Sequence, residues 1–258
     1  MGKILTKQVW TKFTETFGTS IIHPQSTVIK FQKEVITEAK KYAKGQLIDI
    51  GCGRMPYRRV LEPLVDSYIG VDHPKISKLY KSGVKPEVLA DAKSLPFGNN
   101  TFDTALLIQV LEHVDSPEEV IKEAARILKP NGILIISVPF FYPLHDMPYD
   151  WGRYTSSALK SFIDKASLRL LKIEQQGSFI EFFPQILNTF LIKRINDIIS
   201  TKFNLYSVIL LTVLVPFSIF VIIFNNLLII FVKALSQLLP KYPNYFPLEY
   251  LIVARKKS

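Results

Sequence analysis

Residues 47–53 read LIDIGCG, and this stretch decides the predicted fold. Apolar residues surround a single acid, Asp49, and run into two glycines separated by one residue. The pattern is typical of a buried strand that enters a tight turn, where glycine lets the backbone approach a ligand closely. Pro56 stands where the pyrophosphate-binding pattern Gly-x-Gly-x-x-Gly has its last glycine. The turn therefore favours a nucleoside ligand without phosphates over a dinucleotide.

Strands and helical segments alternate on either side of this turn. The predicted helices are residues 24–44 and 116–128, and the predicted strands are residues 47–50, 68–71, 88–90, 102–108 and 133–138. This alternation predicts an α/β fold, a parallel sheet with helices on both faces. Ligands of such sheets bind at the carboxyl ends of the strands. Asp72 and Asp91 each follow a predicted strand directly, so we expect both near the glycine turn.

Four sequence blocks in order resemble the class I S-adenosylmethionine-dependent methyltransferases, specifically the type 11 group. They are LIDIGCGRMPY (47–57), YIGVD (68–72), ADAKSLPFGNNTFDTALLIQVLEHV (90–114) and PEEVIKEAARILKPNGILIISVP (117–139). Met55 departs from the family, which frequently has a third glycine there. The resemblance implies a Rossmann-like seven-stranded class I methyltransferase fold. Its last two strands, residues 168–177 and 250–257, would form an antiparallel hairpin.

The resemblance also implies a cofactor, S-adenosyl-L-methionine, and residues that bind it. Asp49 and the backbone at Gly51 and Gly53 would hold the methionine end of the cofactor. Asp72 would accept hydrogen bonds from the ribose hydroxyls. The structural alternative for Asp72 is an ordinary turn residue at the end of a strand.

Five further cofactor-binding residues are implied in the same way. Asp91 and Ala92 would meet the adenine, and Leu95 would form an apolar wall beside it. Gln109 and Val110, at the end of the fourth strand, would line the pocket on the methionine side.

The loop after the fifth strand, residues 138–155, reads VPFFYPLHDMPYDWGRYT and would face the methyl acceptor. It resembles a subset of the family with the pattern His-x-x-Pro-x-Asp-x-x-Arg-Tyr. The predicted substrate-loop residues are Tyr142, His145, Asp150, Arg153 and Tyr154. His145 is the candidate general base, because an unperturbed imidazole titrates near neutrality. The alternative is that Asp150 and Arg153 pair to hold the loop while His145 is a cap.

A second, apolar feature lies near the C-terminus. Residues 203–232 are 30 consecutive residues without Asp, Glu, Lys, Arg or His. A membrane-spanning helix needs about 20 such residues, so two full crossings need ~40. Basic residues flank the run on both sides, namely Lys193, Arg194, Lys202, Lys233 and Lys241. Because positive residues mark the cytoplasmic side, both ends are expected on the same face.

The apolar run lies between the predicted sixth and seventh strands, which belong to one sheet. We therefore expect a re-entrant or interfacial helical hairpin, with residues 180–199 along the membrane surface. Pro216 interrupts the run, and Asn225 and Asn226 should lie at a turn, a protein contact or the headgroup level, because unpaired amides are costly in hydrocarbon.

These features predict four regions: an N-terminal helical region (1–45), a methyltransferase core (46–178), a membrane-associated helical insertion (179–245) and a last core strand (246–258). The net charge of +10 suits an anionic membrane surface. Nucleic acid is not an expected partner, because no Lys/Arg run interleaved with aromatics occurs outside the apolar region. The single cysteine excludes an internal disulfide and a multi-cysteine metal site, and no metal is expected.

Three functions are consistent with the sequence. The first is a methyltransferase at the cytoplasmic membrane face, with the lipid surface as a partner. Its acceptor would be amphipathic or lipid-linked: a saccharide, a quinone precursor or another lipid. The second is a methyltransferase with a soluble small-molecule acceptor, tethered to the membrane for assembly with a partner. The third is a non-catalytic cofactor-binding membrane scaffold, which the intact acids at Asp49, Asp72 and Asp91 disfavour.

Overall fold

The computed structural model describes residues 13–14, 16–75, 85–200, 205–238 and 244–258. The flanking residues Lys202 and Lys241, and the first two residues of the apolar run, lie outside the described residues. The chain divides into two compact units. One contains residues 34–176 and 249–258, and the other contains residues 1–33 and 177–248.

The first unit is built on one seven-stranded sheet. Its strands are β1 (Gln46–Ile50), β2 (Ser67–Asp72), β3 (Val88–Leu89), β4 (Phe102–Ile108), β5 (Leu128–Pro139), β6 (Leu168–Gln176) and β7 (Glu249–Lys256). The strand order is β3-β2-β1-β4-β5-β7-β6. Strands β1 to β5 run parallel, whereas β7 is antiparallel to both β5 and β6. The predicted seven-stranded methyltransferase fold with its terminal hairpin is confirmed.

Helices cover both faces of this sheet, as the alternating pattern predicts. The helices of the chain are α1 (Ser26–Tyr42), α2 (Arg58–Leu61), α3 (Pro117–Ile127), α4 (Ser156–Lys165), α5 (Phe179–Ser200) and α6 (Leu205–Ser236). Neighbouring strand residues such as Leu106 and Leu107 point to opposite faces and enter two separate cores. One core contains residues of α3 and α4, and the other contains Val35 and Ala39 of α1.

The strand order reverses direction at β1, which lies between β2 and β4. Strands β2 and β3 lie on one side of β1 within the sheet, and the chain then crosses to the other side of β1 to form β4 and β5. At such a switch point the connections leave in opposite directions and open a crevice at the carboxyl ends of the strands. The glycine turn after β1, the end of β2 and the residues after β4 all lie at this edge.

The expected turn inside the apolar run is wrong, because residues Leu205–Ser236 form one continuous helix, α6. Pro216 lies inside this helix without ending it. The asparagine pair takes partners from other segments instead of forming a turn. Asn225 Nδ2 donates to Asn188 Oδ1 (2.8 Å), and Asn226 Nδ2 donates to the Ile21 carbonyl oxygen (2.7 Å). Of the three expected settings for these amides, the structure shows the protein contact.

The helical hairpin between β6 and β7 is formed by α5 and α6. Lys233 Nζ lies 2.6 Å from Glu181 Oε1, and Asn188 Nδ2 donates to Asn226 Oδ1 at 3.3 Å. Glu181, near the start of α5, contacts the end of α6, whereas Asn188, further along α5, contacts an earlier position of α6. The two helices are therefore antiparallel. Among the described residues, α6 is the one helix that is long and apolar enough to cross a membrane. Only 17% of the most apolar 18-residue stretch of α6 is buried.

Candidate functional site

The glycine turn after β1 is fixed to the end of β2. Gly51 N donates to the Val71 carbonyl oxygen at 2.8 Å, and Gly53 N donates to Asp72 Oδ2 at 3.0 Å. Both glycines have positive φ, +71° and +54°, which residues with a side chain rarely adopt. A Cβ on Gly51 would lie 2.5 Å from Val110 Cγ2, whereas a Cβ on Gly53 would meet nothing within 4 Å. The turn is closed by protein at Gly51 and open at Gly53.

Two buried acids flank this opening. Asp49, in β1, accepts a hydrogen bond from the Tyr68 hydroxyl, and Asp72 Oδ1 accepts one from His73 N at 2.7 Å. Burial raises the pKa of Asp49 to about 7, and the charge of Asp72 adds to the rise, although the Tyr68 hydrogen bond opposes it. Two close carboxyl groups with little access to water favour a ligand that carries positive charge and hydroxyl donors.

Gln109 marks the end of β4 with a positive φ of +56°. Its Nε2 donates to Ser137 Oγ at 3.1 Å and to Glu249 Oε2 at 3.4 Å. Burial raises the pKa of Glu249 to about 8, and among the described residues its Oε1 has no hydrogen-bond partner. Glu249 is not among the site residues predicted from the sequence. Its only signal in the sequence is an acid directly before the apolar stretch 250–254 (YLIVA).

The predicted adenine residues lie in the loop after β3. The amide of Ala90, before Asp91, donates to the carbonyl oxygen of Asp72 at 3.0 Å, which fixes the loop beside the end of β2. Asp91 Oδ1 accepts from Lys93 N at 2.9 Å, so this carboxylate also stabilises its own turn. Ala92 packs against the core and Leu95 is buried within it. The adenine contacts of these three residues stay predictions.

The loop after β5 is held by an ion pair between the partly exposed Arg153 and the buried side chain of Asp150. Arg153 contacts Asp150 through two nitrogens, with Nη1–Oδ1 at 2.5 Å and Nη2–Oδ2 at 2.9 Å. The Asp150 side chain is fully buried, and the Arg153 hydrogen bonds hold its pKa at about 2. Arg153 Nη2 also donates to the Tyr142 carbonyl oxygen, and the Tyr154 hydroxyl donates to that of Leu111. These contacts bring the predicted substrate-loop residues together.

His145 lies within this scaffold. Its amide donates to Asp150 Oδ2 at 2.9 Å, and its Nδ1 lies 3.2 Å from the Pro143 carbonyl oxygen. Burial lowers the pKa of His145, and the neighbouring His113 lowers it further. A neutral imidazole with Nδ1 turned towards oxygens leaves Nε2 as its basic atom. This arrangement is compatible with a general base, and that role stays a prediction.

Comparison with known proteins points to one class of domain. Residues 48–136 match the family model described as "Methyltransferase domain". The chain is 34% identical over 160 residues to a ubiquinone biosynthesis O-methyltransferase of Pelagibacter ubique, covering 50% of this chain and 63% of that protein. The chain spans about half the length of the curated relatives it matches.

Solved structures share the fold at low identity. The [4+2]-cyclase SpnF aligns with a TM-score of 0.55 and 18% identity over 88% of this chain and 80% of its own. Phosphoethanolamine N-methyltransferase 2 of Haemonchus contortus, in complex with S-adenosyl-L-methionine, aligns with a TM-score of 0.50 and 15% identity over 88% of this chain and 53% of its own. The cyclase shows that the fold alone does not determine the reaction.

Proposed function

We propose that this chain, whose residues 48–136 match a methyltransferase domain, is a class I S-adenosylmethionine-dependent methyltransferase that methylates an amphipathic or lipid-linked acceptor at the cytoplasmic face of a membrane. The observation that carries the catalytic part is the glycine turn. It opens at Gly53 between two buried acids, Asp49 and Asp72, at the switch point of the sheet. A quinone precursor, a lipid-linked saccharide or a lipid would suit such an enzyme.

The residues of the crevice fit S-adenosyl-L-methionine. Asp49 supplies negative charge for the cationic methionine end, and Asp72 supplies carboxylate oxygens for the ribose hydroxyls. Gly53 leaves the space that a Cβ would otherwise fill. When bound, the cofactor supplies a methyl group that is already activated by its sulfonium. The protein then has to orient the acceptor towards that methyl group and exclude water.

The loop after β5 supports an apolar acceptor. Four of its large apolar side chains are more than half exposed, namely Leu144, Met147, Tyr149 and Trp151. The Asp150–Arg153 ion pair fixes the loop that presents them. Exposed apolar groups grouped on one loop are typical of a surface that binds a lipid or another apolar partner.

The helical hairpin supports the membrane location. Along α6, large side chains such as Leu205, Val213 and Phe220 are each more than two-thirds exposed. A core helix of a soluble protein would be mostly buried, whereas α6 has only Lys233 as a charged residue and is mostly exposed. The antiparallel arrangement of α5 and α6 lets the chain return to β7 in the same sheet.

The test is methyl transfer in the presence of native lipids. Full-length protein is incubated with isotope-labelled cofactor and either a lipid extract or a water-soluble metabolite fraction, and products are identified by mass spectrometry. We expect labelled product from the lipid extract, and much less with the Asp72→Ala variant when the cofactor concentration is close to the wild-type dissociation constant. Label that enters only the soluble fraction would refute the proposed acceptor class, and absence of cofactor binding by calorimetry would refute the enzyme itself.

A further inference from the structure

Three side chains outside the cofactor crevice form a compact group of ligand-type atoms. Glu112 and His113 belong to the short turn Leu111–His113 after β4, and His145 comes from the loop after β5. One ligand atom from each of the three lies within 4.8 Å of the other two. Glu112 Oε1 is 3.8 Å from His113 Nε2, and the two imidazole rings meet edge to face with centroids 4.9 Å apart.

The burial of Glu112 is independent evidence that this group of side chains binds a ligand. Its side chain is fully buried, and neither carboxylate oxygen has a hydrogen-bond partner among the described residues. Buried carboxylates are normally paired or bound to a metal, because an uncompensated charge away from water is very costly. One ligand atom of each imidazole lies within 4.8 Å of a Glu112 oxygen, and the nearby Arg153 guanidinium is already paired with Asp150.

Both histidines are already oriented as metal ligands usually are. His113 Nδ1 donates to the Tyr149 carbonyl oxygen at 2.9 Å. His145 Nδ1 lies 3.2 Å from the Pro143 carbonyl oxygen and 3.4 Å from Asp150 Oδ2. Metal-bound histidines almost always donate the remaining ring N–H to a carbonyl or carboxylate, which fixes the tautomer and aims the other nitrogen at the metal. In both rings Nε2 is the nitrogen left for a ligand bond.

The backbone holds the two segments together. Trp151 N donates to the Glu112 carbonyl oxygen at 2.7 Å, and the Tyr154 hydroxyl donates to the Leu111 carbonyl oxygen at 3.2 Å. These contacts, with the Asp150–Arg153 pair, fix His145 beside the turn that carries His113. A metal site needs such a supporting shell to keep its ligands in place.

We propose that Glu112, His113 and His145 bind a divalent first-row metal cation such as Zn²⁺. Two imidazole nitrogens and one carboxylate oxygen suit Zn²⁺ or Fe²⁺ better than Mg²⁺ or Ca²⁺. Three protein ligands leave at least one coordination position for water or an oxygen of the acceptor. An acceptor hydroxyl bound there would release its proton to solvent more readily. This last step rests on the proposed methyltransferase function, whereas cation binding does not.

The proposal gives His145 the role of a ligand in place of the base predicted from the sequence. The two roles differ in what the His145→Ala variant loses. A missing base leaves cation binding intact, but a missing ligand removes it.

The test measures metal binding directly. Full-length protein, freed of any histidine tag and stripped with a chelator, is titrated with Zn²⁺ or Co²⁺ and analysed by calorimetry and by the visible absorption of bound Co²⁺. We expect about one equivalent in the wild type. The variants Glu112→Gln, His113→Ala and His145→Ala should each weaken binding by more than the 10–100-fold typical of losing a supporting contact. Asp150→Asn should fall within that range.

His73→Ala is the matched control, because it removes a histidine outside the group and should keep about one equivalent. Circular dichroism of each variant separates metal loss from unfolding. Failure of the stripped wild type to take up either cation at micromolar concentration overturns the proposal, as does uptake that persists in the His113→Ala/His145→Ala double variant. Cofactor binding by the same samples is measured separately, so a failed metal site and a failed methyltransferase assignment give different results.

Discussion

Replacing Gly53 by alanine tests whether the open side of the glycine turn is the cofactor position. The residue has φ +54°, and a Cβ there would meet nothing within 4 Å. The substitution therefore costs the protein mainly backbone strain, roughly 1–2 kcal/mol for a residue with a side chain in a left-handed conformation. At about 2–4 °C per kcal/mol for a domain of this size, the melting temperature should fall by only a few degrees.

The Gly53→Ala substitution should reduce cofactor affinity more clearly than it reduces the melting temperature. If the cofactor lies over Gly53, the new methyl group occupies its space, and overpacking of this kind costs ~1–3 kcal/mol. That free energy corresponds to a dissociation constant that is about 5- to 150-fold higher. Gly51→Ala should behave differently, because its Cβ would lie 2.5 Å from Val110 Cγ2 and its φ is +71°. Strain and clash add up there, so the fold itself should be destabilised.

The assay is calorimetric titration with S-adenosyl-L-methionine, together with thermal unfolding of each variant. Gly98→Ala is the control, because its Cβ would make an ordinary contact at 3.7 Å and the residue has no positive φ. It should leave both stability and affinity within experimental error. Wild-type affinity in Gly53→Ala would refute the placement of the cofactor over this turn.

Four further predictions concern the two acids of the crevice and the helical hairpin. Asp72→Ala should weaken cofactor binding tenfold or more in calorimetry, because charge-assisted hydrogen bonds contribute ~1.5–3 kcal/mol each. Burial raises the pKa of Asp49 from 3.8 to about 7. If the ionised form holds the cationic methionine end, affinity should rise by up to about tenfold per pH unit as the pH approaches 7 and then level off, and Asp49→Asn should abolish this slope. The same raised pKa means that Asp49 costs folding stability as the pH rises from 3.8 to about 7, because the unfolded carboxyl loses its proton first. Finally, Gln176 and Glu249 are paired directly across β6 and β7, so an Asn-Gly turn can replace residues 177–248. If the hairpin holds the protein at the membrane, the shortened protein should leave the membrane fraction and still bind cofactor, and a shortened protein that stays with the membrane would contradict the proposed role of the hairpin.

Much of the fold could be predicted because its signals are local. Each parallel strand is a short apolar run bounded by a turn residue, and the helices between strands have their own periodicity. The interior of the apolar run was different. Asn225 and Asn226 look like a turn when only their neighbours are considered, but Asn225 is paired with Asn188, 37 positions earlier in the chain. A polar pair in an apolar helix is stabilised by a distant partner, which a local pattern does not contain.

The site divides in the same way. The position of Asp49 and Asp72 beside the glycine turn could be predicted because the carboxyl ends of adjacent parallel strands meet at one edge of the sheet. Glu249 could not, because it reaches Gln109 across 140 positions through the pairing of β7 with β5. The group of Glu112, His113 and His145 has no metal-binding spacing in the sequence. Only the packing of the loop after β5 on the turn after β4 brings it together.

The buried acids of this domain share one physical problem. Asp49, Glu112 and Glu249 are each almost fully buried, and burial raises the pKa of all three towards or above neutrality. A protein selected for stability alone would have apolar or amide side chains there, because a buried carboxyl without a cation is a net cost. Their presence at the edge of the sheet where the parallel strands end is explained if cationic ligands offset that cost when they bind. The buried acids then lower the free energy of unfolding of the free protein. Ligand binding raises it again, because a ligand that binds only the folded state stabilises that state.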